Sequence, residues 1–305
     1  MPVLPPSVRS AVELHTGPIG AVAPVGGGDV SQAARLDAAN GRFFLKWGSG
    51  AQTAGAAGQT YAAEAEGLAA LRSAAPPGLS VPSPLASCDT EGGVEGFLLL
   101  DWIEPARPVP DDWRAFGAAL AALHRAPAPG DGRYGWPADN WIGSKPQRNG
   151  WDASWPAFFG EHRLRAQAET VRQRDAWDSA WDPLLDRLVA RLPEILPATP
   201  PPALLHGDLW GGNALAARGP SGSATTFALI DPAVYVGHRE ADLAMTELFG
   251  GFPQSFYEGY HDTWPLEPGY AERREVYNLY HLTNHLTHGP SYRRPVASVL
   301  NRFGG

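Results

Sequence analysis

Residues 204–215 read LLHGDLWGGNAL, and further on residues 227–232 read FALIDP. Each is a short apolar run that ends in a carboxylate, Asp208 or Asp231. Short apolar runs bounded by turn residues read as buried strands. The chain must therefore deliver two carboxylates at the ends of two buried strands. Gly211 and Gly212 let the backbone turn sharply between Asp208 and Asn213, and Pro232 drives the chain out of the strand behind Asp231.

The stretch before this pair divides in two. VAPVGGGDV followed by AARLDAANGRFFLKW reads as two strands joined by a glycine turn, with a third strand after Asn40-Gly41, a hairpin signal between apolar runs. GSGAQTAGAAGQT reads as a loop. TYAAEAEGLAALRSA has helical period, and EGGVEGFLLLDWIE is a glycine turn into a buried strand. Beyond a hinge at Leu100–Pro105 the pattern is mostly helical. DDWRAFGAALAALHRA puts Trp113, Phe116, Leu120 and Leu123 on one face, with Asp111 or Asp112 as N-cap. Residues 151–168 and 176–192 read as two more helices, and helices return after Glu240. The expected class is α+β and bilobal: a small sheet-rich lobe over 1–102, and a larger helical lobe over 103–305.

Composition narrows the function. Lys and Arg total 24 against 32 Asp and Glu, a net charge of −8 that argues against nucleic-acid binding, which needs a basic face. The single Cys88 excludes an internal disulfide and a cysteine zinc cage. No apolar run approaches the ~20 residues that span a bilayer, and the N-terminus lacks a signal-peptide layout. A cytoplasmic protein is expected.

His206-Gly207-Asp208-Leu209-Trp210-Gly211-Gly212-Asn213 fits the His-x-Asp-Leu-x-x-x-Asn pattern of kinase catalytic loops. In that chemistry the Asp meets the incoming hydroxyl, and the Asn reaches a metal ion that neutralises the ATP phosphates. A second carboxylate on a neighbouring strand shares the metal, the place of Asp231. Lys46 lies in the apolar strand RFFLKW and needs a partner, because a buried unpaired ammonium is costly. Of the two glutamates on the next helix, Glu64 shares a face with Leu68 and Leu71, while Glu66 points away. Lys46–Glu64 is the expected pair, holding the lysine against phosphate. Gly26-Gly27-Gly28 lies between the first two strands, where backbone N–H groups can fold over phosphates. Gly loop, strand Lys, helix Glu, hinge, HxD…N and Asp follow one another in the order a kinase requires.

With these residues in hand, the chain resembles the fructosamine (ketosamine) kinases, within the aminoglycoside phosphotransferase-like, protein-kinase-like superfamily. HGDLW is the discriminating piece. GGGDVSQAARL, YAAEAEGL, YGWPADNWIGSKPQRNGW, WPAFFGEHRL, IDPAVYVGHREADLAMTELFGGFP and LYHLTNH agree with it, so the likeness covers nearly the whole chain. It implies transfer of the ATP γ-phosphate to the 3-hydroxyl of a ketosamine, free or protein-linked, and a link to protein deglycation. Carried over by position, Asp208 is the base, Asn213 and Asp231 bind Mg²⁺, Lys46 contacts phosphate with Glu64 orienting it, and Gly26–Gly28 cover the nucleotide. Leu100, Asp101, Trp102 and Ile103 hold the adenine through backbone groups.

Trp210, Tyr235 and His238 are the candidate substrate contacts, and Glu240 and Asp242 read as acids in the first turn of a helix. Two departures stand out. Asp29 follows the glycines where some relatives carry a redox-active cysteine, and His288 replaces an aromatic in THGPSY. Two other readings fit the same motifs: a small-molecule kinase with another acceptor, such as an aminoglycoside, and a silent nucleotide-binding scaffold. A monomer is favoured, and nothing resembling a protein-kinase activation segment follows Asp231.

Overall fold

The structure, a computed structural model, describes residues 4–26, 31–48, 60–90, 95–219 and 225–305. The first part comprises α1 (Pro6–Thr16), β1 (Ile19–Pro24), β2 (Gln32–Ala38), β3 (Gly41–Gly48), α2 (Thr60–Ala74), β4 (Leu79–Ser80), β5 (Pro84–Cys88) and β6 (Gly96–Asp101). The second continues with α3 (Pro110–Arg125), β7 (Asn140–Ile142), β8 (Lys145–Gln147), α4 (Trp155–Phe158), α5 (Ala166–Arg172), α6 (Asp182–Ile195), β9 (Pro202–Leu205), β10 (Ala214–Arg218), β11 (Thr225–Leu229) and β12 (Tyr235–His238). Four helices close the chain: α7 (Glu240–Leu248), α8 (Gln254–Thr263), α9 (Tyr270–Asn284) and α10 (Arg293–Gly304).

Alternation along the strands builds the first part. β1, β2, β3, β6 and β5 form one antiparallel sheet in that order. Successive side chains on a strand face opposite ways. Leu45, Trp47, Phe97 and Leu99 therefore pack with Val8 and Val12 of α1 on one face, while Leu98 and Leu100 join Leu68 and Leu71 of α2 on the other. The same alternation sends Lys46, between Leu45 and Trp47, to the α2 face. The Asn40-Gly41 hairpin forms as expected, Ala38 pairing with Gly41 across β2 and β3. The GSGAQTAGAAGQT loop lies largely outside the described residues.

The second part is mainly helical. Phe116 of α3 stacks on Phe227, Trp113 packs against the same ring at a tilt, and Phe252 and Phe256 close the cluster. α3 starts earlier than expected. Neither Asp111 nor Asp112 is the N-cap; Pro110, with its preset φ, opens the helix after Val109, and Asp112 accepts the Val109 N–H at 2.8 Å. The helix expected over 151–168 begins at Trp155 behind the Ser154 cap and runs to Arg172, with a π-helical segment, Phe159–Arg165, joining α4 to α5. The helix expected over 176–192 is α6, displaced to Asp182–Ile195 behind a 3₁₀ turn.

Helices α3 and α8 approach until backbone meets backbone. A Cβ on Gly117 would lie 1.9 Å from the carbonyl oxygen of Phe256, and one on Gly259 would lie 2.0 Å from that of Arg114. Gly117→Ala and Gly259→Ala are each expected to cost about 1–3 kcal/mol by overpacking, read as a lower urea midpoint at unchanged slope. A midpoint equal to that of the parent protein would show that the two helices can part freely.

Candidate active site

Strand β9 is buried from Ala203 to Leu205 and delivers the His206–Asn213 loop to the cleft between the two parts. At Gly207 the backbone takes φ +81°, and a Cβ there would meet the Ala233 carbonyl oxygen at 2.0 Å. Only glycine fits. The loop hangs on Asp242 at the start of α7, whose carboxylate accepts the N–H of His206 (2.7 Å) and of Gly207 (2.9 Å). Nε2 of His124 donates to Asp242 at 3.3 Å, and Tyr260 bonds the other ring nitrogen. Burial opposes the charge on Asp242, but His124, His206 and the Gly207 N–H outweigh it and hold its pKa below the ordinary carboxylate range. His206 Nε2 donates to the Ile230 carbonyl (2.9 Å), so its Nδ1 is left to accept the Asp208 N–H (3.3 Å).

Asp208 is partly exposed at the cleft. Burial first, then the nearby Asp231 and Asp242 carboxylates, push its pKa up to about 7; a bond from Asn213 works the other way. Asn213 Nδ2 donates to the Asp208 carbonyl (2.9 Å) and more weakly to its carboxylate (3.4 Å). β10 pairs with β11 so that Ala214 faces Leu229, which sets Asn213 beside Ile230 and Asp231. Asp231 holds φ +53°, a left-handed conformation uncommon for a non-glycine residue.

Lys46 closes the arrangement. Its Nζ bonds Glu64 at 2.8 Å and Asp231 at 2.5 Å. Burial opposes the ammonium, yet the two carboxylates prevail and its pKa is raised. The helical phase that singled out Glu64 is the phase observed, and Glu66 is exposed. Among the described residues no cluster of three His, Cys, Asp or Glu side chains could hold a metal. The oxygens at hand are the carboxylate of Asp231, whose Oδ1 also bonds Lys46, and the side-chain Oδ1 of Asn213, whose Nδ2 is committed to Asp208. Such a sparse set of hard oxygen donors suits Mg²⁺, which usually takes one or two carboxylates and completes its shell with phosphates and water.

The hinge residues are placed unevenly. Leu100 is core, and the Asp101 carboxylate is tied to the Ser83 N–H at 2.5 Å. Trp102 lies under Arg35 and donates to Glu104. Ile103 lines a cavity of about 600 Å³ together with Trp113, Trp210, Leu215 and Phe249. Trp210 is 41% exposed, and its indole lies over Gly212, where a Cβ would come within 2.3 Å of the ring. Gly26 is described, and a Cβ there would meet nothing within 4 Å; Gly27 and Gly28 fall outside the described residues.

Two expected substrate contacts do not face the cleft. Tyr235 is buried beneath the Arg163 guanidinium, 3.9 Å from its ring centre. His238 is enclosed beside Trp155 and bonded to Tyr277 at 2.8 Å, with burial pushing its pKa down to about 3. Burial on both faces explains the pair: all of β12 is buried, so neither face of that strand reaches solvent. Glu240 is structural as read, forming two bonds to Arg273 (2.6 and 2.7 Å). Asp242, read only as a first-turn acid, instead anchors the catalytic-type loop. The available signal was His124, a polar residue following Leu120 and Leu123 on the apolar side of α3.

Comparison with known proteins agrees over nearly the full length. A family model described as fructosamine kinase matches residues 8–303. A probable ketoamine kinase of Synechocystis sp. is 40% identical over 280 residues, covering 91% of this chain and 88% of that protein. The chloroplastic protein-ribulosamine 3-kinase of Oryza sativa subsp. indica is 35% identical over 285 residues, covering 92% and 78%. The crystal structure titled "Putative fructosamine-3-kinase" from Haemophilus somnus superposes with a TM-score of 0.82 at 26% identity, covering 97% of this chain and 96% of that one.

The elevated pKa of Asp208 has a thermodynamic consequence. Its folded value, about 7, lies above the unfolded value of about 3.9. Ionisation therefore costs stability, nothing below about pH 4 and the full amount above about pH 7. In metal- and nucleotide-free protein, Asp208→Asn is expected to raise Tm at pH 8, the gain shrinking to nothing near pH 4. A thermal melt series in which the variant is no more stable at pH 8 would refute the raised pKa of Asp208.

Proposed function

This chain belongs to the fructosamine kinase family, and on that premise we propose that it transfers the γ-phosphate of ATP to the 3-hydroxyl of a ketosamine. The observation that carries the reading is the meeting of Asp208, Asn213, Asp231 and the Lys46–Glu64 pair in one cleft. Asp208 is the base. As the acceptor oxygen bonds to the γ-phosphorus its proton passes to the Asp208 carboxylate, and the bond to the leaving ADP oxygen breaks. A base poised near neutrality is matched to that step.

An ammonium has three donors. Lys46 uses two on Glu64 and Asp231, and the third is available to ATP phosphate, with Glu64 holding the direction. Asn213 and Asp231 are the residues to hold Mg²⁺, which when bound supplies positive charge against the phosphates. Backbone groups of the hinge from Leu100 to Ile103 and the Gly26–Gly28 turn serve the nucleotide. A ketosamine on lysine or a small amine is the acceptor, and its phosphorylation points to a role in protein deglycation. No helix among the described residues is long and apolar enough to cross a membrane; a cytoplasmic location is part of the proposal.

Incubation with ATP, Mg²⁺ and free or protein-linked fructosamine and ribulosamine, followed by detection of the 3-phosphate, tests the reading directly. Turnover is expected on ketosamines, and Asp208→Asn should reduce kcat by about 10²–10⁴-fold while ATP binding persists. Phosphorylation of an aminoglycoside but of no ketosamine would refute the acceptor; equal activity in Asp208→Asn would refute the base.

Trp210 offers an exposed indole two residues from Asp208, at the rim of the cavity. An indole face gives the C–H side of a sugar an apolar surface to cover, worth about 25 cal/mol per Å² removed from water. Trp210→Ala is expected to raise KM for the ketosamine about tenfold, with KM for ATP little changed. Equal KM values for the ketosamine in the two proteins would take Trp210 out of the acceptor site.

A further inference from the structure

We propose that Gln147 is a positioning residue for phosphoryl transfer, acting on Asp208 and Asp231 through the backbone of Ala233. The inference rests on the roles assigned above to those two aspartates. Gln147 belongs to the β7–β8 hairpin, formed by the DNWIGSKPQ stretch, to which no role has yet been attached.

Burying a carboxamide is costly unless its donors and acceptor are satisfied. Gln147 is 1% exposed and Asn140, opposite it in the hairpin, 5%. Both are spent on one target. Gln147 Nε2 donates to the Ala233 carbonyl (2.9 Å) and to Asn140 Oδ1 (2.8 Å), while its own carbonyl accepts the Tyr280 hydroxyl (2.9 Å). Asn140 Nδ2 donates to the carbonyl of Val234 (2.8 Å). Behind them, Asn149 Nδ2 donates to Asn140 Oδ1 (3.0 Å), and Asn149 Oδ1 accepts from Arg163 (2.9 Å).

The two carbonyls so gripped follow directly on Asp231-Pro232. A left-handed non-glycine costs of order 1–3 kcal/mol and persists only where its surroundings over-determine it. Asp231, at φ +53°, is such a residue. The hairpin supplies the fixed point on its C-terminal side. Ala233 also reaches the catalytic loop: its N–H donates to the His206 carbonyl (2.8 Å), and its carbonyl oxygen lies over Gly207, where a Cβ would be only 2.0 Å away. A shift of Ala233 therefore moves both the turn that aims Asp231 and the glycine that precedes Asp208. Gln147 touches no reacting atom, and its effect is on their spacing.

The test uses Gln147→Met, close in length, and Gln147→Leu, neither of which has a donor for the Ala233 carbonyl. Displacements near 1 Å at reacting groups cost about 100-fold. Both variants are expected to lose kcat by about that factor, with KM for ATP and for the acceptor within about threefold. Tyr280→Phe, which only frees the Gln147 carbonyl, is expected to lose kcat about three- to tenfold with the same split. Unchanged kcat in folded Gln147→Met, or a loss carried by KM, overturns the proposal. If neither Gln147 variant folds, unchanged kcat in Tyr280→Phe does so. Rates are taken on whichever acceptor the parent protein phosphorylates, so an error in the ketosamine assignment leaves the comparison intact. Full activity in a parallel Asp208→Asn protein would indict the base assignment instead.

Discussion

One ammonium ties the sheet-rich part of this protein to the rest of its cleft. Lys46 projects from the β3 face that carries α2, bonds Glu64 on that helix, and reaches Asp231 beyond β11. Three segments far apart in sequence thus share one charge. Their positions follow from ordinary packing: Leu45 and Trp47 pin the opposite face of the strand, and Leu68 and Leu71 pin the helix. Gly67 brings α2 against Val234, where a Cβ would stand 3.1 Å from that side chain.

The cleft carries more negative than positive charge. Glu64 and Asp231 share a single lysine, and burial, followed by the neighbouring Asp231 and Asp242 carboxylates, raises the pKa of Asp208. Ionising Asp208 there costs folding stability, because its folded pKa lies above the unfolded one. Three other buried charges are matched by partners. Asp242 receives two backbone N–H groups and a histidine. Glu240 is matched by Arg273, and Arg163 lies over Tyr235 while bonding Asn149.

Much of the site was legible before the structure was seen. Strand alternation and helical phase are local properties, so Lys46 and Glu64 could be paired from residue spacing. Gly211 and Gly212 mark a turn between Asp208 and Asn213 because a residue without a Cβ has the fewest steric limits, whereas the need for glycine at 207 comes from the Ala233 carbonyl. The N-terminus of α3 was misread because Pro110 begins the helix sooner than the acids suggest. Tyr235 and His238 were misplaced because nearness in sequence to Asp231 says nothing about which faces of β12 are covered. The β7–β8 hairpin and its grip on Ala233 were invisible, since Asn140 and Gln147 are unremarkable polar residues until a distant backbone is brought to them.

The chain's own sequence therefore determined the parts and their order: apolar strands ending in carboxylates, a lysine within an apolar strand, and a glutamate on the inward phase of a helix. Each depends on periodicity and on residues within a few positions. Tertiary structure alone decided which acid would anchor the loop, how far Asp208 would be pushed toward neutrality, and which polar residues would be enclosed. Those outcomes depend on burial and on charges contributed by segments remote in sequence, and neither can be read until the segments meet.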